Sequence, residues 1–292
     1  MTSRFLIPVA DDFGLSRGVN GGIIEAHDRG IVTSAALLMN FPALDDALSL
    51  TRAFPRLSIG LHVNVTIGRP ITPWQQVPSL TNYTGDFLGL AGFLQRLAQG
   101  RISTAELSIE IDAQFRRYAE TGLPLDFVNG QHHIHLFQPV LRLLAERLEK
   151  SHTRMLRLTH EPLRALLPSF RSATERVQWP HPKRYLFAYL ARRAAHSLNG
   201  LASNDGFVHV DGAAFRRHRP ESQNPFVAAL RDATGRINEL MCHPAHVDLP
   251  LRYIDAYVDE REVELRHLCD PALRRAIHDA GFALASYREI HP

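Results

Sequence analysis

Apolar runs that fit buried strands alternate along this chain with segments of helical period. The runs predict strands at 5–10, 32–39, 57–65, 125–128, 155–158, 237–242 and 282–286. The segments between several of them carry helix start and stop signals. Ser16 can cap a helix that ends at Gly30, and Pro139 suits the first turn of a later helix. Repeated alternation of this kind predicts parallel strands with helices packed outside them.

The remaining helices are predicted from the same kinds of signal. A short helix is expected over 45–54. Ser103 and Glu106 have the spacing of a capping box, and that helix should stop near Gly122. A last helix opens at Asp270 and closes at Gly281. The pattern amounts to about seven β/α units.

An open sheet and a closed barrel both fit this order of elements. Polar residues follow the first, third, fourth and a late strand, and convergence from several strand ends is typical of the carboxyl-end face of a barrel. We therefore predict an α/β fold: a distorted, TIM-barrel-like (β/α) barrel that spans 1–292 as one domain with a helical insertion.

Two stretches depart from the alternation. The stretch 66–102 is rich in proline and glycine and is expected to be a long loop that folds over the site. The stretch 161–206 is basic, with interleaved aromatic residues, and is expected to be an inserted helical segment. A solvated basic face is its simpler interpretation, and docking on an anionic membrane or an acidic substrate is the alternative.

Composition narrows the class of protein. The chain has 292 residues, 45% of them apolar, and a net charge of only +3, with no Lys/Arg stripe that would favour a nucleic-acid partner. Two cysteines make a disulfide framework unexpected and favour a cytoplasmic location. No run of about 18 apolar residues predicts a spanning helix. The first residues lack the pattern of a signal peptide.

The candidate chemistry follows the predicted strands. Asp11 and Asp12 directly follow the first strand, and two adjacent carboxylates are tolerable when one coordinates a cation and the other acts as a base. An Asx turn or helix cap is the alternative for that pair. His62 lies in an otherwise apolar strand end, where its nitrogens need partners. His243 follows a late strand and is held by the next proline, which suits a general acid.

The segment 131–135 reads Gln-His-His-Ile-His, a density of imidazole that suggests metal binding. If the preceding strand continues, Gln131, His133 and His135 share one side and His132 faces the other. Aspartate with two histidines leaves coordination positions open for water, as in catalytic metal sites. The adjacent Cys242 is expected to be an inert core residue.

These motifs resemble, in content and order, the YdjC-like carbohydrate deacetylases, which include chitooligosaccharide and hopanoid-biosynthesis-associated deacetylases. The similar segments are 11–16, 30–34, 60–62 with Thr66, Gly68 and Pro70, the histidine segment, and 239–244. They span nearly the whole chain. The resemblance implies a distorted (β/α) barrel, often dimeric, that uses one divalent metal ion, with magnesium or zinc favoured, to remove acetyl from an N-acetylated amino sugar.

Residue roles follow from the resemblance. Asp12 and His62 match metal ligands, Asp11 matches the general base, and His243 matches the acid or oxyanion-stabilising histidine. The family usually has histidine, its third ligand, where this chain has Gln131. The third ligand here is Gln131 through its carbonyl oxygen, or His132 or His133 after a small shift. Gln131, His135 and Arg157 are expected to contact substrate.

The resulting hypothesis is a metal-dependent hydrolase that releases acetate from an N-acetylated amino sugar, its oligosaccharide or a glycolipid. A homodimer and peripheral membrane contact are compatible with it. One alternative is a non-catalytic sugar- or lipid-headgroup-binding protein with a degenerate metal site. Another is a metal-dependent phosphoesterase, although no glycine-rich phosphate cradle is present.

Overall fold

A computed structural model of the chain describes residues 4–151, 153, 155–161, 182–198, 200–216 and 224–290. Within them, seven strands form one sheet in which every pairing is parallel. The strands are β1 (Arg4–Phe13), β2 (Ser34–Leu37), β3 (Ser58–Val63), β4 (Val128–Gly130), β5 (Gly206–Val208), β6 (Ile237–Cys242) and β7 (Phe282–Leu284). Their order is β4-β3-β2-β1-β6-β5, and β7 pairs with the beginning of β1.

The sheet curls, and an irregular segment bridges its two outer strands. Val128 of β4 donates its backbone N–H to Met155 O at 2.9 Å, and Phe207 of β5 donates to His160 O at 2.9 Å. Isolated bridges also pair Leu156 with Val128, and Met155 with Ala202. The predicted distorted (β/α) barrel is confirmed, and the predicted strand at 155–158 is this bridging segment rather than a full strand.

Helices surround the sheet and connect successive strands. They are α1 (Arg17–Asp28), α2 (Leu44–Ala53), α3 (Gly89–Ala98), α4 (Thr104–Glu120), α5 (Gln138–Glu149), α6 (Pro182–Ala195), α7 (Gly212–Arg216), α8 (Pro225–Ala229), α9 (Leu249–Ile254), α10 (Asp259–Leu268), α11 (Pro271–Asp279) and α12 (Tyr287–Ile290). Ser16, Ser103 and Asp270 cap α1, α4 and α11 through side-chain oxygens, as the sequence signals indicate.

Alternate residues of β1 lie on opposite faces of the curled sheet. Leu6 and Ala10 join the large core that the helices share. Ile7 and Val9 join a small apolar cluster with Phe127 and Tyr287 on the inner face. Gly60 makes room there, because a Cβ at that position would lie 2.6 Å from the Phe127 ring. The inner face is therefore packed at one end and is free to carry polar residues at the other.

Two expectations about the connections need correction or a limit. The stretch 66–102 does form an extended connection, but it contains a short 3₁₀ turn (Trp74–Gln76) and the helix α3. In the basic insertion, α6 is the helical part that the structure describes, and residues 162–181 lie outside the described residues. None of the helices in the described segments has the length and apolar character needed to cross a membrane.

Candidate active site

A cavity of about 400 Å³ opens at the carboxyl ends of the strands. It brings together seven of the residues that the sequence singles out: Asp11, Asp12, His62, Gln131, His132, His133 and His243. Asp11 and Asp12 come from β1, His62 from β3, and His243 from the residue after β6. Parallel strands place their carboxyl ends at one edge, which is why residues 232 positions apart line one cavity.

Asp11 and Asp12 both line the cavity because β1 is irregular at its end. In a regular strand, adjacent side chains would point to opposite faces. Here the β1–β2 register shifts between Ala10 and Phe13, and Asp12 adopts the left-handed region with φ of 70°. Aspartate tolerates this region better than most residues. The bulge thus presents two neighbouring carboxylates to the same cavity.

Asp11 belongs to a closed network that we call the Asp11 cluster: Asp11, Asn129, Arg157, Glu239 and Tyr287. Arg157 Nη1 donates to Asp11 Oδ2 at 2.5 Å and Arg157 Nη2 to Asp11 Oδ1 at 2.8 Å. Asn129 Nδ2 also donates to Oδ1, at 3.0 Å. Burial alone would raise the pKa of Asp11, but the attached Arg157 guanidinium brings that pKa far below its usual value. Asp11 is therefore ionised.

The other side of Arg157 is anchored deeper in the barrel. Its Nε contacts Glu239 Oε1, and the hydroxyl of Tyr287 donates to Glu239 Oε2. Arg157 and Glu239 are completely buried. Burial raises the pKa of Glu239, against the opposing effect of Arg157. Glu239 thus fixes Arg157 deep in the barrel, and Arg157 donates to Asp11 from the inner face.

Asp12 belongs to a second network, the Asp12 cluster: Asp12, His62, Gln131, Asp255 and Arg261. Arg261 Nη2 donates to Asp12 Oδ2 at 2.6 Å and also contacts Asp255. The other oxygen, Asp12 Oδ1, is buried without a hydrogen-bond partner and lies 3.6 Å from His62 Nε2. Burial would raise the pKa of Asp12, but Arg261 foremost, with His243 and His62, lowers it.

His62 is held through both ring nitrogens by amide side chains at the end of β4. Its Nδ1 lies 2.6 Å from Asn129 Oδ1, and its Nε2 lies 2.7 Å from Gln131 Oε1. Because Asn129 uses its amide nitrogen on Asp11, its oxygen must accept from His62 Nδ1. In a neutral imidazole this places the single proton on Nδ1 and leaves the Nε2 lone pair toward Asp12 and Gln131.

The histidine segment does not continue as a strand. β4 ends at Gly130, and residues 131–136 form a 3₁₀ turn in which His132 and His133 have φ of 52° and 57°. The predicted alternation of side chains is therefore wrong. His132 Nδ1 lies 3.0 Å from Thr66 Oγ1, and the His133 ring contacts the rings of Phe187 and Phe207. Burial lowers the pKa of His133 well below its usual value, so this imidazole is neutral.

Among the described residues, the three non-glycine residues with positive φ are Asp12, His132 and His133. All three line the cavity. A conformation that costs free energy for an ordinary side chain persists only where the surrounding structure enforces it, and such residues cluster at functional sites. The unusual backbone therefore marks the same site as the side-chain chemistry does.

His243 directly follows β6, the strand that pairs with β1, and lies against a buried carboxylate. Glu264 Oε2 accepts the His243 backbone N–H at 2.7 Å, and Glu264 Oε1 lies 3.9 Å from His243 Nδ1. The hydroxyl of Tyr257 also donates to Glu264, and the Tyr257 ring meets the His243 ring edge-on. About a quarter of the His243 side chain is exposed, so the ring is oriented and still accessible.

Two predicted substrate contacts need correction. Arg157 and His135 are both completely buried, and neither lines the cavity. Arg157 lies behind Asp11, which separates it from any molecule in the cavity. His135 lies against Gly130, in the layer below. Burial, with Arg157 as the next cause, lowers the pKa of His135 to about 3. Both residues support the site from behind.

Sequence reasoning also missed residues that shape the site. Arg261 and Glu264 are buried on α10, whose strongly charged sequence looks like a solvated helix. Their spacing of three residues, which places them on one helical face, was the available signal. Asn129 and Glu239 stand among apolar strand residues, and a polar residue inside a buried strand is informative because it needs a partner.

A divalent cation fits the Asp12 cluster. In the described segments, no three Asp, Glu, His or Cys side chains are grouped to hold a metal ion. Asp12 Oδ1, His62 Nε2 and Gln131 Oε1 nevertheless converge as lone-pair donors, and Asp12 Oδ1 is otherwise unsatisfied. Donors 3.6 Å apart can both reach one ion, because ligand distances are about 2.1 Å.

Comparison with known proteins identifies the family of this chain. A family model described as YdjC-like protein matches residues 5–279. The chain belongs to the YdjC-like family. It is 32% identical over 294 residues to a chitooligosaccharide deacetylase of Proteus mirabilis, with 99% of both chains covered. It is also 32% identical over 292 residues to a carbohydrate deacetylase of Geobacillus stearothermophilus, with 99% of this chain and 98% of that protein covered.

The fold has a counterpart among solved structures. A protein of Enterococcus faecalis V583, provisionally described as a cellobiose-phosphate cleavage protein, superimposes with a TM-score of 0.78 at 25% identity. The match covers 99% of this chain and all of that one. This YdjC-like chain therefore shares its architecture with that solved structure.

Proposed function

We propose that the protein hydrolyses the acetamide of an N-acetylated amino sugar and releases acetate, with a divalent cation in the Asp12 cluster. The observation that carries the proposal is the convergence of Asp11, Asp12, His62 and His243 in one cavity. Membership of the YdjC-like family and relatives named as carbohydrate and chitooligosaccharide deacetylases support the substrate class.

Asp12, His62 and Gln131 would hold the cation. Bound there, such an ion would lower the pKa of a water molecule and polarise the acetamide carbonyl. The role of Arg261 is to hold Asp12 Oδ2, which leaves Asp12 Oδ1 directed toward His62. Asn129 fixes the tautomer of His62 from the opposite side of the ring. The first requirement of the reaction, an oriented donor set, is therefore built by this chain's own residues.

Asp11 is placed to accept the proton of the attacking water. Its Oδ1 accepts two hydrogen bonds, from Arg157 and Asn129, whereas its Oδ2 accepts one. A carboxylate oxygen has two lone-pair directions, so Oδ2 keeps one that can accept a proton. The low pKa of Asp11 keeps it ionised, and Arg157 prevents the carboxylate from rotating.

His243 is placed to donate a proton to the departing amine. Glu264 holds it from behind, while part of its ring remains exposed to the cavity. Glu264 is itself held by Tyr257. Amide hydrolysis requires an acid and a base in one cavity, because the nucleophile loses a proton and the leaving amine gains one.

The test is a panel of N-acetylated sugars and oligosaccharides, assayed for acetate with Mg²⁺, Mn²⁺ or Zn²⁺ and with EDTA. Acetate release that EDTA abolishes and added metal restores is the expected result. Sugar phosphates in the same panel, assayed for inorganic phosphate, test phosphoesterase activity. Phosphate release without acetate release would reject the proposed reaction, and so would tight sugar binding with no product of either kind.

A further inference from the structure

We propose that Gln131 supplies its side-chain oxygen as the third protein ligand of the cation, which makes the site one of two oxygens and one nitrogen. The inference rests on the proposed function only in requiring that a divalent cation binds. It assigns a ligand and a selectivity to the Asp12 cluster, because the residue at this position determines whether the third donor is a hard oxygen or an imidazole nitrogen.

The position of Gln131 carries the assignment. The residue is buried, and its Oε1 lies 2.7 Å from His62 Nε2. With the imidazole proton on Nδ1, a lone pair of Nε2 faces a lone pair of Oε1. Two acceptors at this distance repel each other unless a positive charge lies between them. Asp12 Oδ1, buried and without a hydrogen-bond partner, lies 3.6 Å from the same Nε2 atom.

The backbone explains why Gln131, and neither histidine after it, reaches His62. Asn129 and Gln131 are two residues apart at the end of β4, and their amides contact the two nitrogens of His62. Gly130, between them, is still extended, with φ of −155° and ψ of 145°. The chain then turns at His132 and His133 through positive φ. His132 contacts Thr66, and the His133 ring lies against Phe187 and Phe207.

The donor set has a consequence for metal choice. An amide oxygen is a hard ligand that suits Mg²⁺ and Mn²⁺, whereas an imidazole nitrogen suits Zn²⁺. Raw affinity for any such site still rises from Mn²⁺ toward Zn²⁺. The informative quantity is therefore the ratio of the two dissociation constants, and how that ratio changes when only the third ligand is changed.

The experiment is calorimetric titration of metal-free protein with Mn²⁺ and with Zn²⁺, without any sugar. Gln131→His should strengthen Zn²⁺ binding by about tenfold or more relative to Mn²⁺ binding. Gln131→Glu should retain Mn²⁺ binding because it keeps an oxygen donor. Gln131→Leu should weaken the binding of both ions by about tenfold or more. Loss of a residue that only orients a ligand already costs about that much affinity.

His132→Gln and His133→Gln are the matched controls, and both should leave the two dissociation constants within about threefold of wild type. The assignment is overturned if Gln131→Leu binds both ions as wild type does, or if a histidine variant loses affinity as Gln131→Leu should. Thermal melting of each variant without metal identifies any that fail to fold. If Gln131→Leu is one of these, the assignment is tested by Gln131→Glu, and loss of Mn²⁺ binding in that folded variant would overturn it. Metal binding without acetate release would reject the proposed reaction and leave this assignment standing.

Discussion

The Asp11 cluster and the Asp12 cluster lie side by side at the end of β1, yet their hydrogen bonding differs. In the Asp11 cluster, a fully buried arginine lies between two carboxylates, and Asp11 accepts three hydrogen bonds. In the Asp12 cluster, one carboxylate oxygen has no partner, and the nearest ring nitrogen presents a lone pair. The first cluster positions a charge, and we propose that a cation completes the second.

The difference teaches how neighbouring carboxylates acquire different roles. A single bulge brings both side chains to the cavity, so sequence position does not separate them. Their partners do. Arg157 reaches Asp11 from the bridging segment of the barrel, and Arg261 reaches Asp12 from α10. The site is thus assembled from two arginines that approach one strand end from different parts of the chain.

The largest effects are expected when each carboxylate is replaced in turn by an amide. Asp11→Asn should lower acetate turnover by about 10²- to 10⁴-fold, because it removes the proton acceptor. Asp12→Asn should instead weaken cation binding by about tenfold or more, because it removes a charged ligand. Turnover and calorimetric metal titration are measured on both variants. Equal loss of cation affinity in the two would contradict the division of roles.

Arg157→Met tests the Asp11 cluster as a structural unit. It leaves Asp11 and Glu239 buried without the guanidinium that pairs with both, and we expect the free energy of unfolding to fall by about 3–5 kcal/mol. Arg252→Met is the matched control, because the Arg252–Asp259 pair is largely exposed and should contribute about 0–1 kcal/mol. Urea denaturation measures both. A loss near 1 kcal/mol in Arg157→Met would mean that the buried pair is not a structural requirement.

Tyr287→Phe sharpens the picture of the anchor beneath Arg157. The variant removes only the hydroxyl that donates to Glu239, while the ring can stay against Phe127. A hydrogen bond to a charged group contributes about 1.5–3 kcal/mol, and we expect a loss of stability in that range. The cation dissociation constants should not change. A change in metal binding with stability intact would show that the two clusters are coupled through the barrel interior.

His135→Gln is expected to change the pH dependence of stability. His135 is buried, and its lowered pKa means that the unfolded chain takes up a proton below about pH 6.5 while the native protein does not. Its contribution to stability is therefore present at pH 7 and is lost as pH falls toward the folded-state value. The variant should show a shallower loss between pH 6 and 4, by roughly one proton, or about 1.4 kcal/mol per pH unit.

The control for this measurement is the exposed His278, whose replacement by Gln should leave the slope unchanged. Urea midpoints at several pH values measure both variants. If the slope of stability against pH is the same in His135→Gln as in wild type, the ring of His135 takes up a proton in the native protein as it does in the unfolded chain. A negatively charged group would then have to stabilise that proton in the buried layer.

Much of the fold was predictable because parallel β/α units have strong local signals. Strands β1, β2, β3, β6 and β7 lie within or overlap the predicted runs, and the caps of α1, α4 and α11 are where the sequence indicates. Helix α3 was missed because glycine and proline around it outweighed its apolar period. Strand β5 was missed because it begins at the end of the basic stretch 161–206, which was interpreted as a helical insertion.

The sequence by itself determined the chemistry that is available: two carboxylates near the end of β1, a histidine near the end of β3, a histidine directly after β6, and a family resemblance that the comparisons confirm. These follow from residue type and from the position of each residue at a strand end. The tertiary structure decided the partners. Arg157 and Arg261 face the carboxylates only after the barrel closes, and the turn after Gly130 selects Gln131 to face His62. Such pairings depend on long-range packing and on two or three backbone dihedrals, which local sequence patterns do not encode.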